Sequence, residues 1–551
     1  MCCVFFSMND YVFSEGVHKA PSVFKSNAEW NGLIADSVNK RDIKLMIDGN
    51  EIRNPDVYMN ENRDIMIPVS LLVSEFDCSM RLYDESMLVV ERNQIKIVLG
   101  VESSYMNLNG QDYILESPVT LKAEEIYIPV EVINKAFNCE YIWDIQKNMA
   151  AVFAVLSDKK FPERFDYREI GKTPLVKNQG KLGTCWSFAA LTALETALMP
   201  EENIDFSEDH MSIRNSFTST QNDGGEYTMA LAYLAAWQGP VYEADDPYGD
   251  GESPDNLSAV KHVQEVQVLG HKNFGQIKEM VYKYGGVQTS IYTNLKNASS
   301  KSSYYNEDTY AYCYIGTKKP NHDVVIIGWD DNYPKENFNA ELEADGAFIC
   351  QNSWGEQFGD NGVFYISYYD SNIGIHSVVY TGIEPVDNYD SIYQSDLCGW
   401  VGQLGYINER AYFANVFTAK EREVLEAVSF YATGRDTEYE IYFVSDFEDE
   451  KSFERMRPVA AGEFENAGYY TVKLDKVQQL SEGERFAVVI KILTPNSDRP
   501  IAVEYAVDGS TEDVVLEDGE GYISLSGKRW ERTEEEQKCN VCLKAFTSKT
   551  D

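Results

Sequence analysis

The apolar positions divide the chain into segments of different period. Between residues 41 and 155 they mark short strands, and the pattern repeats. Ile65-Met66-Ile67-Pro68-Val69 returns as Ile126-Tyr127-Ile128-Pro129-Val130, and Phe76-Asp77-Cys78 returns as Phe137-Asn138-Cys139, each 61 residues later. Each unit reads as an apolar strand, a Pro-Val entry into a short helix, and a further strand. Asp48-Gly49 and Asn109-Gly110 carry the hairpin-turn signature at the same offset. This segment is expected to be an α+β repeat module. Residues 1–40 lack clear periodicity and read as a leader or flexible arm.

From residue 161 the period changes. Cys185 to Met199 contains no Pro, is rich in Ala and Leu, and sets Phe188, Leu191, Leu194 and Leu198 on one helical face. Tyr227 to Trp237 is also apolar at helical spacing. Beyond about Val287 the runs become strand-like: Val287 to Ile291, Val324 to Trp329, Gly346 to Gln351 and Gly362 to Tyr368. A helical lobe followed by a strand lobe predicts an α+β unit with its site in the cleft between them. After Asn388 the pattern is short strands separated by turn signals: Ala411 to Phe417, Glu423 to Tyr431, Tyr439 to Val444, Gly468 to Leu474 and Arg485 to Ile492. That predicts a β-sandwich. Composition shifts at Ser157-Asp158-Lys159-Lys160 and near Pro385-Val386-Asp387. They divide the chain into an arm (1–40), the repeat module (41–155), the helix-then-strand unit (161–385) and the sandwich (390–548), a multidomain α+β protein.

Charge narrows the possible partners. The 551 residues carry 89 Asp and Glu against 48 Lys and Arg, a formal net charge of −41. Nucleic acid and anionic membrane surfaces repel such a chain, so no nucleic-acid partner is expected. No run approaches 18 apolar residues, and no membrane span is expected. Cys2-Cys3-Val4-Phe5-Phe6 is too short for a signal-peptide core, and no Lys or Arg precedes it. Ten cysteines are sparse in this length and form no dense disulfide framework. Cys539-Asn540-Val541-Cys542 is a lone C-x-x-C without a second pair, and no metal site is assigned to it.

One stretch carries chemistry. Asn178-Gln179-Gly180-Lys181-Leu182-Gly183-Thr184 is polar and glycine-punctuated, and the helical run starts at Cys185. Cys185 is therefore expected in the first turn of a helix, where free N–H groups and the positive dipole end favour a thiolate. A nucleophile needs a base and an orienter. His322 opens the apolar run Val324 to Trp329, and Asn352 follows Ala347-Phe348-Ile349-Cys350. They lie 137 and 167 residues past Cys185, with the acidic insert Asp330 to Asp345 between them.

These residues resemble the papain-like cysteine peptidases over roughly Phe161 to Glu384. The motifs are Gln179 six residues before Cys185, Cys185-Trp186-Ser187-Phe188-Ala189, Asn352-Ser353-Trp354-Gly355, Asn361-Gly362-Val363-Phe364 and Asp223-Gly224-Gly225. In that family His and Asn follow the nucleophile by about 130–150 residues, and the acidic insert accounts for the longer spacing to Asn352. The resemblance implies a two-lobe fold, a helical lobe plus a β-barrel-like lobe. It implies Cys185 as nucleophile, His322 as base, Asn352 as orienter and Gln179 as oxyanion donor. It places Gly224 and Gly225 beside the substrate backbone and Trp354 over the His–Asn bond. The implied reaction is endopeptidase cleavage through a thioester, with no metal or organic cofactor. The family usually bridges a cysteine three residues before the nucleophile to one beside the glycine pair. Leu182 and Asp223 stand there, so that bridge is absent. Asp323 stands where the family more often has a small residue, and its carboxylate is expected to raise the His322 pKa or narrow the cleft.

Residues 41–155 resemble the copper-amine-oxidase N-terminal-like module. They contain no histidine, so no copper site is expected, and the module is read as an anchoring or spacing unit. Residues 390–548 resemble the lectin-like domain that follows papain-like peptidases in some bacterial surface proteins. Together these imply an extracellular or cell-surface enzyme with protein or peptide substrates and a glycan or cell-wall partner held by the flanks. Two other classes share some features: another Cys–His hydrolase such as a cell-wall peptide amidase or transpeptidase, and a non-catalytic adhesin on a peptidase scaffold. The intact set Gln179, Cys185, His322 and Asn352 favours the peptidase. All four lie within 161–385, which is expected to hold every group the chemistry needs.

Overall fold

The computed structural model describes Phe6–Ser7 and residues 43–550, except 48–49, 53–54, 61, 63, 77, 84–85, 93–94, 109–110, 123–124, 138, 145–148, 155–160 and 518. The arm expected over 1–40, the two hairpin turns and the charged linker therefore lie outside the described residues, Phe6–Ser7 excepted.

The sequence repeat is a structural repeat. Its two apolar motifs form β1 (Ile65–Pro68) and β2 (Glu125–Pro129), which pair antiparallel with Ile67 opposite Ile128. Each strand ends at its Pro and runs into a short helix, α1 (Ser70–Glu75) or α2 (Glu131–Phe137). Phe76 and Phe137 stack at 5.1 Å between ring centroids. Ile65, Ile67, Leu72, Ile128 and Ile133 fill a core of the module's own. Among the described residues of 43–154, no strand pairs with the rest of the chain.

The central segment opens with α3 (Cys185–Leu198), α4 (Glu208–Ile213) and α5 (Tyr227–Ala235). The sequence predicts one buried face for α3, but Ala189, Ala190 and Ala193 are buried as well as Leu191 and Leu194. Small alanines let neighbours close in on every side, as in a helix enclosed by its protein. There follow β3 (His262–Val268), α6 (Phe274–Lys283), β4 (Val287–Ile291), β5 (His322–Asp330), β6 (Ala347–Gln351), β7 (Val363–Ser367) and β8 (Ser377–Glu384). They lie in the order β7-β6-β5-β4-β8-β3. β5 is buried along nearly its whole length, with Ile326 opposite Val287 on β4 and Cys350 on β6, and α3 packs against it.

The C-terminal segment contributes β9 (Ser391–Tyr393), β10 (Arg410–Thr418), β11 (Glu423–Ala432), β12 (Thr437–Val444), β13 (Arg457–Phe464), β14 (Ala467–Leu480), β15 (Arg485–Leu493), β16 (Gly521–Ser524) and β17 (Leu543–Lys549). One layer is the sheet β13-β12-β15-β10-β16, continued by Glu531–Arg532. The facing layer, β14-β11-β17-β9, is not separate. It continues the central sheet, because β14 pairs with β3, Tyr470 opposite Glu265 and Ala467 opposite Val268. The join needs a glycine at Gly468, whose φ is +149° and where a Cβ would sit 2.1 Å from the Val266 carbonyl oxygen. Trp400, Tyr431, Tyr469, Ala502 and Cys542 enter the same core as Trp186 and Val266. The composition shift near Pro385 is thus crossed by both sheet and core. No helix among the described residues is long and apolar enough to cross a membrane.

A truncation series checks this seam. Residues 161–385 alone leave the β3 edge unpaired and the shared apolar face in water, so the fragment should aggregate or melt far below residues 161–551. Removing residues 1–160, whose described contact with the later sheets is the pairing of Phe6–Ser7 with Gly402–Gln403, should lower the melting temperature far less. Circular dichroism melts of both pieces decide it, and a cooperative melt of 161–385 at the longer fragment's temperature would refute the shared core.

Candidate active site

Lys177-Asn178-Gln179 runs antiparallel to Ser353-Trp354-Gly355. The Gln179 N–H donates to the Ser353 carbonyl (2.9 Å), and the Gly355 N–H donates to the Lys177 carbonyl (3.0 Å). The chain turns at Gly180, φ +67°. Tyr248 then pins the loop, its hydroxyl donating to the Gln179 carbonyl (3.0 Å) and pairing with the Thr184 hydroxyl (2.6 Å). Thr184 is the N-cap of α3, but its side chain makes no capping bond. The first N–H groups of the helix are left to a ligand at the Cys185 position.

His322 begins β5. Its Nε2 lies 2.8 Å from Asn352 Oδ1, which also accepts the Ser353 N–H at 2.8 Å. That second bond fixes Oδ1 as the oxygen, so His322 Nε2 carries the proton and Nδ1 holds the lone pair. The Trp354 indole stacks on the imidazole at 4.7 Å with a 29° interplanar angle, itself backed by Phe358. Gln179 is oriented at both ends. Its Oε1 accepts the Ser353 hydroxyl (2.6 Å), and its Nε2 donates to the Leu182 carbonyl (2.8 Å), with one N–H remaining. Gly225 lies on Trp186, where a Cβ would come 2.4 Å from the indole nitrogen. Gly183 and Gly224 meet backbone to backbone, a Cβ on Gly183 falling 2.8 Å from the Gly224 nitrogen. The structure thus gathers Gln179, Gly224, Gly225 and the Cys185 helix start on one side, and His322, Asn352 and Trp354 on the other, with Gln179 tied to Ser353 across them.

Burial pushes the Cys185 thiol up to about 12, the Asp323 charge adds to this, and the backbone N–H groups of Asp323, Trp186 and Cys185 oppose it. Burial pulls His322 down to about 4, against the Asn352 bond. The expected rise at His322 is therefore absent: Asp323 acts on the thiol, while desolvation governs the imidazole. A lone thiolate or a lone imidazolium is costly here, whereas proton transfer from Sγ to Nδ1 creates both charges together.

Sequence reading missed three supports. Ser353 lies in the Asn352 motif with nothing to signal its role, and nothing local marks Tyr248. Lys177 is a buried ammonium among Glu195 (2.9 Å) and Asp205 (2.6 Å), with Glu208 at 2.8 Å. Burial alone would lower its pKa, but Glu208, Glu195 and Asp205 hold it above its ordinary value. Glu208 is pushed up to about 8 by desolvation, against the pull of Lys177. The cluster ties the segment carrying Gln179 to α3 and α4. The other described histidines are packed elsewhere: His210 on Tyr233, His262 on Trp237, and His271 near His376.

Residues 161–383 match the papain family cysteine protease, residues 392–547 the lectin like domain, and residues 46–152 the copper amine oxidase N-terminal domain. Among curated proteins, the probable cysteine protease RD19B of Arabidopsis thaliana is 30% identical over 242 residues, 41% of this chain and 64% of that one. Cysteine protease Amb a 11.0101 of Ambrosia artemisiifolia is 27% identical over 247 residues, 44% of this chain and 60% of that one. The chain thus spans less than two thirds of each of these relatives. Among solved structures, the clostridial cysteine protease Cwp84 after propeptide cleavage superposes with a TM-score of 0.61 at 27% identity, covering 70% of this chain and 99% of that one. The cysteine protease and lectin-like domains of Cwp84, a surface layer associated protein of Clostridium difficile, give 0.61 at 26% identity over 71% and 90%.

The lysine cluster generates a stability prediction. Lys177→Met strands Glu195 and Glu208 without their cation, at a cost of about 3–5 kcal/mol. The urea midpoint should fall accordingly, and adding Glu208→Gln should restore part of it. A midpoint equal to wild type would show that the cluster holds nothing in place.

Proposed function

We propose that this chain, which carries a papain-like cysteine peptidase domain in its central segment, is an endopeptidase that hydrolyses peptide bonds through Cys185, His322 and Asn352. The observation that carries the reading is the His322–Asn352 hydrogen bond beneath Trp354, held by the 353–355 segment against the loop that leads into Cys185. In this reading Cys185 gives its proton to His322 Nδ1 as Sγ attacks the substrate carbonyl carbon. The carbonyl oxygen becomes an oxyanion, met by the Cys185 backbone N–H and the remaining Gln179 Nε2–H. On collapse the C–N bond breaks, the proton on Nδ1 passes to the leaving amine, and a thioester remains. His322 then takes a proton from water as its oxygen attacks the thioester. The C–S bond breaks, the acid product leaves, and the proton returns to the thiolate.

Asn352 keeps the imidazole in the tautomer this cycle needs, and Trp354 keeps water from its bond. Gly224 and Gly225 present bare backbone to an extended substrate. The likeness to Cwp84, described as surface layer associated, supports a place at the cell surface. The lectin-like segment would hold a glycan or cell-wall partner there, with the repeat module as a spacer. A quartet of this kind has no purpose on an inert scaffold, which favours the enzyme over the adhesin reading.

Two substitutions test the assignment on a fluorogenic peptide. Cys185→Ala should abolish hydrolysis with an unchanged circular dichroism spectrum; near-full turnover would remove Cys185 from the chemistry. Gln179→Ala should lower kcat by about two to three decades with little change in KM, because the donor acts on charge that develops in the transition state. An unchanged kcat with chemistry rate-limiting would exclude Gln179 as the oxyanion donor.

A further inference from the structure

Asp323 is a buried carboxylate, 8% exposed, directly after the candidate base, and it forms no ion pair among the described residues. Its Oδ2 accepts Gln288 Nε2 at 2.9 Å, and the same nitrogen lies 3.4 Å from the Trp186 carbonyl oxygen, one residue past the nucleophile. The Tyr380 hydroxyl reaches Gln288 Oε1 at 3.4 Å, closing the other side of that amide. Ser290, opposite Asp323 on β4, supplies a second neutral contact. The titratable groups facing the carboxylate are Cys185 at the start of α3, Tyr227 at the start of α5 and Tyr380 on β8; His322, its neighbour on β5, leaves the strand on the opposite face. None of these is a fixed cation. A negative charge held by neutral donors against the first turn of a nucleophile helix works against a second negative charge there.

We propose that Asp323 is a positioning residue that sets the pH window of Cys185: while ionised it disfavours the neighbouring thiolate beyond what burial does, and neutralising it removes that added opposition. The proposal rests on the reading of Cys185 as nucleophile. Burial holds the Asp323 carboxyl above its ordinary range, against Ser290 and Gln288. Its charge therefore disappears, as pH falls, before that of an exposed aspartate would. The sign follows: the opposition to the thiolate is full above the carboxyl's raised pKa and is lost as pH falls through it. The added opposition to the thiolate is thus a feature of neutral and alkaline conditions.

The test is alkylation of the full chain by iodoacetamide between pH 4 and 9, with the modified site read by peptide mass spectrometry, alongside kcat/KM over the same range. Asp323→Asn keeps the shape and removes the charge. It should raise Cys185 alkylation at pH 7 by about tenfold or more and move the profile down by about one pH unit. Gln288→Leu removes a donor to the ionised form, so Asp323 stays protonated to higher pH and neutral reactivity rises by a smaller factor. Circular dichroism checks both folds. Alkylation at Cys185 with a wild-type profile in both variants overturns the proposal, as does a profile displaced upward in the Asn variant. If wild-type alkylation spares Cys185 and Cys185→Ala still hydrolyses peptide, the nucleophile assignment itself falls, and the proposal with it.

Discussion

The short antiparallel contact between Lys177-Asn178-Gln179 and Ser353-Trp354-Gly355 is the constraint on which the site depends. The first segment leads into α3, which begins at Cys185, and the second follows the strand that delivers Asn352. Three backbone and side-chain bonds across this contact fix the Gln179 amide relative to the imidazole. Because the Ser353 N–H and hydroxyl serve Asn352 and Gln179 respectively, one residue orients both amides. A slip of one residue would turn both side chains to the wrong face. The buried ammonium of Lys177 opposes such a slip, since moving it would strand two carboxylates that are 1% exposed.

Around that contact the electrostatics favour neutrality over standing charge. Cys185 and His322 are each pushed toward their uncharged forms by desolvation. In the proposed reading, charge arises only as a pair, at the moment a carbonyl is present to take up the negative end. In that reading a dry site of this kind strengthens the oxyanion donors, because an N–H aimed at developing charge counts for more where water is absent. Asp323 is a carboxylate that burial likewise disfavours and that no cation among the described residues offsets, whereas Lys177 stays charged among its own carboxylates.

How much was legible from the sequence follows from the range of each determinant. The position of Cys185 at a helix start is local, set by a glycine-punctuated loop and a Pro-free run of Ala and Leu, and it could be read directly. The repeat at 61 residues was legible because both copies carry the same Ile-x-Ile-Pro-Val strand, and those strands pair with each other. His322 and Asn352 emerged from motif order and spacing. The Lys177 cluster was invisible because its members come from four separated positions. The seam was invisible for a similar reason: Ala467 to Leu480 alternates like any half-buried strand, and nothing in it names β3, some 200 residues earlier, as its partner. The enclosure of α3 was hidden because alanine is compatible with either a solvated or a buried face.

The seam also bears on the loop that carries Gly224 and Gly225. The papain-like resemblance leads one to expect a disulfide near the glycine pair, where Leu182 and Asp223 stand instead. Here the loop is held by other means. Gly183 and Gly224 touch without side chains, and the Gly183 N–H donates to the Gln221 carbonyl at 2.8 Å. At its outer end the loop is gripped by the C-terminal segment: the Thr218 N–H donates to the Ser510 carbonyl at 2.8 Å, and the Cys398 thiol to the Ser216 carbonyl at 3.3 Å. Hydrogen bonds from a neighbouring domain do for this loop in the folded state what a covalent bridge does in both states. They restrain it only while that domain is in place, and the stiffness of the Gly224-Gly225 rim is therefore a property of the two joined segments and not of the central one alone.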